Sequence, residues 1–114
     1  MLSITNKQLR VIGDENFISR AIAFLRTRKS DFNLLNDNEA RHFIVKYKDI
    51  AVTKYNLISE RAVMTYLLVV WELGDDFDIK YPTLNTILTN QFQTDTEKAF
   101  ELYCAVYKLL KSNK

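Results

Sequence analysis

Two glycines and one proline in 114 residues are too few for the many tight turns of an all-β chain. One cysteine, Cys104, excludes an intramolecular disulfide and a zinc site built from several cysteines. One histidine, His42, has no second histidine or cysteine pair with which to share a metal. As a general base it would need a nucleophile within hydrogen-bond reach, so it reads as a surface or boundary side chain. The longest apolar run, Val63–Trp71, is broken by Thr65 and Tyr66 and falls far short of the ~20 residues of a membrane span. Met1–Leu9 lacks the basic start and apolar run of a signal peptide, so the expected location is cytoplasmic. Neither a glycine-rich phosphate loop nor a G-x-S-x-G elbow is present. A net charge of +2 is weak for nucleic acid, although ten bases and six acids in residues 1–58, against six and eight in 59–114, polarise the chain.

What the chain does contain is apolar and aromatic content, 47% and 12%, enough for one folded domain spanning 1–114. Its centre is the stretch Ser59–Asp78. Ser59 is a helix-capping residue, and Glu60 suits the positive end of a helix dipole. Val63, Met64, Tyr66, Leu67, Leu68, Val69, Val70, Trp71 and Leu73 then leave almost no polar face. A helix apolar nearly all round has to be covered on several sides. Gly74 ends it, for which a left-handed terminal residue is expected.

The remaining elements follow from capping signals and helical spacing. Thr5 and Gln8 form a capping-box pattern, which starts a first helix at Asn6; Gly13 interrupts it and Asp14 can cap a restart. Phe17, Ile18, Ala21, Ile22 and Leu25 give its inner stripe, and whether 6–28 is one helix or two is left open. Lys29–Leu35 reads as a loop with Phe32 and Leu34 turned inward. Asn36 and Glu39 open a helix whose stripe is Ala40, Phe43, Ile44, Tyr47, Ile50 and Ala51, with Asn56 as its left-handed end. Pro82 suits the first position of a short helix reaching about Asn90, with Leu84, Ile87 and Leu88 inward. Thr94 and Glu97 cap a last helix, Asp95 to about Lys111, expected to bury Ala99, Phe100, Tyr103, Cys104, Tyr107 and Leu110. The fold expected is all-α, a single-domain bundle of five to six helices around the central helix at about 59–73.

Candidate chemistry is sparse. Glu72, Asp75, Asp76 and Asp78 gather at one turn, but lack the twelve-residue register of a calcium loop, and their glycine precedes the acids. They read first as a helix end followed by a solvated turn, with Phe77 returning to the core. Cys104, between Tyr103 and Tyr107, reads as a small hydrophobe. Arg20, Arg26, Arg28 and Lys29 read as a solvated helix face. Tyr47, Tyr55, Trp71 and Tyr81 are candidates to anchor a protein interface, where aromatics carry disproportionate binding energy. No catalytic, cofactor or metal residue is assigned, and no enzyme activity is expected.

One resemblance adds to this reading. Phe24-Leu25-Arg26 ends the first helix and an Asn36–Tyr55 helix opens with acids. Tyr55-Asn56-Leu57-Ile58-Ser59-Glu60-Arg61 forms the corner, followed by Tyr66-Leu67 and Leu73-Gly74-Asp75-Asp76-Phe77-Asp78. Across these segments the chain resembles small all-helical accessory proteins encoded in bacterial type VI secretion cassettes, near spike proteins and their effectors. Asn56 stands where that pattern has glycine, and Tyr81-Pro82-Thr83 where it has proline followed by tryptophan. The resemblance implies a non-enzymatic adaptor or co-chaperone for loading an effector, with an effector, spike protein or second loading factor as partner. It implies neither nucleic acid nor membrane as partner, places the protein in the bacterial cytoplasm and leaves the oligomeric state open. The turn Glu72, Asp75, Asp76, Phe77 and Asp78 is the contact region it suggests. An immunity protein that neutralises a cognate toxin, through an acidic face such as Glu72–Asp78, is the alternative.

Overall fold

Each helix begins and ends where local hydrogen bonding permits. The computed structural model describes residues 15–112. The expected capping box at Thr5, the break at Gly13 and the cap at Asp14 lie outside the described residues, as does the question of one helix or two over 6–28. Among the described residues there are six α-helices, one 3-10 turn and no strand. These are α1 (Glu15–Arg28), the 3-10 turn Ser30–Leu34, α2 (Asp37–Tyr55), α3 (Glu60–Leu73), α4 (Phe77–Lys80), α5 (Pro82–Leu88) and α6 (Asp95–Ser112).

Asn36 caps α2 by accepting from the Glu39 amide at 2.8 Å, while Glu39 accepts from the Asn36 amide at 3.0 Å. Thr94 and Glu97 do the same at the start of α6, at 3.1 and 2.9 Å. Ser59 Oγ accepts from the Ala62 amide at the start of α3. Asn56 closes α2 in the left-handed conformation, φ 57° and ψ 34°, which lets the chain turn directly into α3. Gly74 corrects one expectation. Its φ of 97° comes with a ψ of 162°, an extended, positive-φ conformation reserved for glycine, not the left-handed one. A Cβ there would also stand 3.2 Å from Asp76 Oδ1.

Helix α3 is the hub. Ala62, Val63, Tyr66, Leu67, Val69 and Val70 are buried, while Met64, Leu68, Trp71 and Leu73 are partly covered. Helix α2 folds back on it through the Asn56 corner, bringing Phe43 to Trp71 and Tyr55 to Tyr66, with centroids 5.5 and 5.7 Å apart. Phe32, fully buried, meets Trp71 edge-on at 4.8 Å. Leu34 does not follow it inward: the segment is a 3-10 turn, and Leu34 is 84% exposed.

Helices α1 and α6 both run parallel to α3. Arg20 clamps Glu60 near the start of α3, with nitrogen–oxygen distances of 3.0 and 2.6 Å, and Lys29 pairs with Glu72 near its end. Helix α6 starts beside α3 because Asp95 Oδ2 accepts the Ile58 and Ser59 amides at 3.0 and 2.7 Å. Farther along, Tyr107 and Leu110 lie beside Val69 and Glu72.

That carboxylate also sets the rotation of α6. With Asp95 turned to the corner, Lys98, Ala99, Leu102 and Val106 follow it inward at helical spacing, and all four are buried. The expected inner stripe is therefore wrong by one position. Ala99 is buried, Cys104 and Leu110 are partly covered, but Phe100, Tyr103 and Tyr107 are 70%, 45% and 57% exposed.

Candidate functional site

The acidic turn and the outer face of α6 are two regions whose side chains bear on contact with another molecule; Phe92, Leu34 and Ile79 are also exposed, at 99%, 84% and 78%. In the turn, every acid has a partner within the chain. Glu72 pairs with Lys29, Asp75 accepts from the Tyr47 hydroxyl at 3.1 Å, and Asp76 pairs with Lys80 at 3.4 Å. Asp78 is the most enclosed, its side chain 12% exposed. It accepts from Tyr55 Oη at 2.6 Å and Lys54 Nζ at 3.0 Å. The Tyr55 hydroxyl, against the cost of burial and with help from Lys54, holds the Asp78 carboxyl below its ordinary range. Burial, and then the bond to Asp78, push the Tyr55 hydroxyl well above its ordinary value. Tyr66 is raised too, chiefly by burial. Phe77 is buried against Tyr66, with ring centroids 5.7 Å apart. The turn that the sequence marks as a contact region also ties α2 to the end of α3, while Asp75 and Asp76 remain exposed.

The suggested aromatic anchors are likewise engaged. Tyr55 is buried, Trp71 sits among Phe32 and Phe43 with Nε1 donating to Asp31 Oδ1 at 2.9 Å, and Tyr47 is held by Asp75. Tyr81 is partly buried. His42 is exposed on α2. Among the described residues, no three or more His, Cys, Asp or Glu side chains are grouped to hold a metal ion. Nor is any described helix long and apolar enough to cross a membrane.

The open region lies along α3 between α1 and α6, and Lys29 and Glu72 border its far end. Helices α1 and α6 flank α3 and leave between them a groove of about 1140 Å3. Met64 and Leu68 of α3 form its floor, Phe24 and Arg28 of α1 one wall, and Phe100 and Tyr103 of α6 the other. A recess of about 190 Å3 extends it toward Tyr107, with Arg28, Leu68 and Tyr103 bordering both. Glu60, at one end, is held by Arg20. The Arg28 guanidinium lies over the Phe24 ring, 5.0 Å from its centroid, and Arg61 is exposed with no partner among the described residues. Along α6, Glu101 accepts from Gln93 Nε2 at 2.6 Å, and Glu97 is the capping residue of its own helix. The groove therefore offers a floor of thioether and leucine, rings along one wall and arginines at its rim. Its shape suits a helix or a ridge of side chains from another protein.

Sequence reasoning missed this face because it placed Phe100, Tyr103 and Tyr107 in the core. The one signal for their true orientation is Asp95, which α6 carries at its first position and turns toward the preceding corner. Compared with protein-family models, curated proteins and solved structures, the chain matches none.

Proposed function

We propose that this protein is a non-enzymatic binding factor whose protein partner docks in the groove between α1, α3 and α6. The observation that carries the reading is the exposed stripe Phe100, Tyr103 and Tyr107, at i, i+3 and i+7 on α6, beside the apolar floor of Met64 and Leu68. Large rings standing in solvent next to a lined groove are the anchors that protein interfaces favour. The resemblance to type VI accessory proteins supports the finer reading: an adaptor or co-chaperone of the bacterial cytoplasm that helps load an effector onto the secretion spike. The immunity reading, expected through an acidic face such as Glu72–Asp78, draws less support, because those carboxylates have partners within the chain.

The test is capture from the producing cell with two baits, the native chain and a Phe100→Ser/Tyr103→Ser double variant, with mass spectrometry of the bound proteins. An effector, spike protein or loading factor held by the native bait and lost from the variant is the expected result. Equal retention by both baits would remove the groove as the docking site. A single toxin, with rescue of cells expressing it, would replace the adaptor reading by immunity.

A further inference from the structure

We infer that a partner this groove accepts is a second copy of the same chain, in a two-fold dimer where the α6 ridge of each copy fills the groove of the other. The inference rests on reading the groove as a protein-docking face. It goes further by naming an occupant, and the chemistry that selects that occupant is carried by the chain itself.

A two-fold interface needs a patch complementary to itself. Here the ridge and the groove lie side by side. The ridge carries Phe100, Tyr103 and Tyr107, flanked by the exposed carboxylates Glu97 and Glu101. The groove has an apolar floor, Met64 and Leu68, and a rim of mixed sign, the guanidinium groups of Arg28 and Arg61 together with the carboxylates of Glu60, Glu97 and Glu101. Rotation of one copy onto the other sets rings over the apolar floor and carboxylates toward guanidinium groups. A two-fold axis along α6 keeps each ridge level with the facing groove, because α1, α3 and α6 run in the same direction. The two α6 helices then pack side by side in the same direction.

The available area agrees with a reversible dimer. At their exposures, the three rings present roughly 350 Å2 per copy. That is close to half of the ~800 Å2 that each partner of a stable complex commonly buries, and the floor and rim of the groove add to it. A client helix entering the groove must displace the second copy, so client binding and self-association compete for one face.

Sedimentation equilibrium of the full chain, from low micromolar to several hundred micromolar, tests the proposal. The expected result is a mass that rises reversibly with concentration from 13.4 kDa toward twice that value. Phe100→Arg, at an exposed position that leaves the fold intact by circular dichroism, is expected to weaken association by about tenfold or more. Arg61→Glu and Glu101→Arg are each expected to weaken it, and the two together to restore it, because each copy then again offers opposite charges across the axis. A monomer at every concentration overturns the dimer and leaves the groove to a different protein, which the two-bait capture decides separately. A dimer indifferent to Phe100→Arg, or one that the paired reversal fails to restore, places the contact elsewhere and overturns it as well.

Discussion

The acidic turn after α3 and the aromatic face of α6 make opposite use of the residues that mark them. The turn is rich in charge, yet its carboxylates point back into the chain, to Lys29, Tyr47, Lys80, Lys54 and Tyr55. The α6 face is rich in rings, yet Phe100, Tyr103 and Tyr107 point away from the core. Residue type alone would assign the charges to solvent and the rings to the interior. What decides availability is whether a side chain has found its partner inside the fold. The charges have; of the rings, Tyr107 has Lys111 over its face at 5.6 Å, while Phe100 and Tyr103 stand 70% and 45% exposed. The turn's carboxylates therefore help to hold α2 to the end of α3, while the rings of α6 stand in solvent.

This contrast can be broken most directly at Phe77. If the turn is structural, Phe77→Ala removes a fully buried ring from contact with Tyr66 and lowers stability by about 3–5 kcal/mol. A urea unfolding midpoint close to that of the native chain would show the turn to be dispensable. The next effect belongs to Asp78. Asp78→Ala leaves the Tyr55 hydroxyl without its acceptor in a largely enclosed site, at a cost of about 1–3 kcal/mol. Tyr55→Phe in the Asp78→Ala background should then have much less further effect than it has alone, a non-additivity that a double-mutant cycle measures.

How much of this was legible in the sequence depends on how far each determinant reaches. Helix limits were readable because their determinants are local: Asn36 with Glu39, Ser59, Asn56, Pro82, and Thr94 with Glu97 act within a few residues. The rotation of α6 was not. Ala99, Leu102 and Val106 share their spacing with Phe100, Tyr103 and Tyr107, one residue out of step, so periodicity supports either face and ring size favours the wrong one. The tie from Asp95 to residues 58 and 59, 37 and 36 positions away, settles the choice. Leu34, expected inward with Phe32, was misplaced for a similar reason: the 3-10 turn that buries Phe32 carries Leu34 to the outside. The acidic cluster was visible as composition. Its ties to Tyr47, Lys54 and Tyr55 span 23 to 28 residues and were not.

Acid titration sharpens the account of why the rings face outward. Burial opposes ionisation of Asp95, but the Ser59 and Ile58 amides outweigh it and hold the carboxyl below its ordinary value. Asp78 is lowered as well. A carboxyl whose folded value is depressed contributes stability above its unfolded value, and that contribution is lost as pH falls through the folded one. The melting temperature should hold steady from about pH 5 to about pH 8 and fall below about pH 4. Asp95→Asn keeps an acceptor oxygen but loses the charge; it should cost about 1 kcal/mol at neutral pH and flatten the acid limb. An acid limb unchanged by this substitution would detach the rotation of α6 from its Asp95 anchor.

The smallest effects on stability make the most direct comparison of the two regions. Asp76 is exposed and pairs only with Lys80 on the same turn, so Asp76→Ala should change stability by less than about 1 kcal/mol. Phe100→Ser removes a ring that is 70% exposed and should also stay within about 0.5 kcal/mol of the native chain. The two substitutions then diverge in binding. An interface ring of this kind commonly carries more than about 1.4 kcal/mol, a tenfold change in affinity, whereas a rim charge carries far less. Measured side by side against the protein captured by the native bait, Phe100→Ser should lose binding and Asp76→Ala should keep it. The reverse order would return recognition to the acidic turn and leave the exposed rings of α6 without a role.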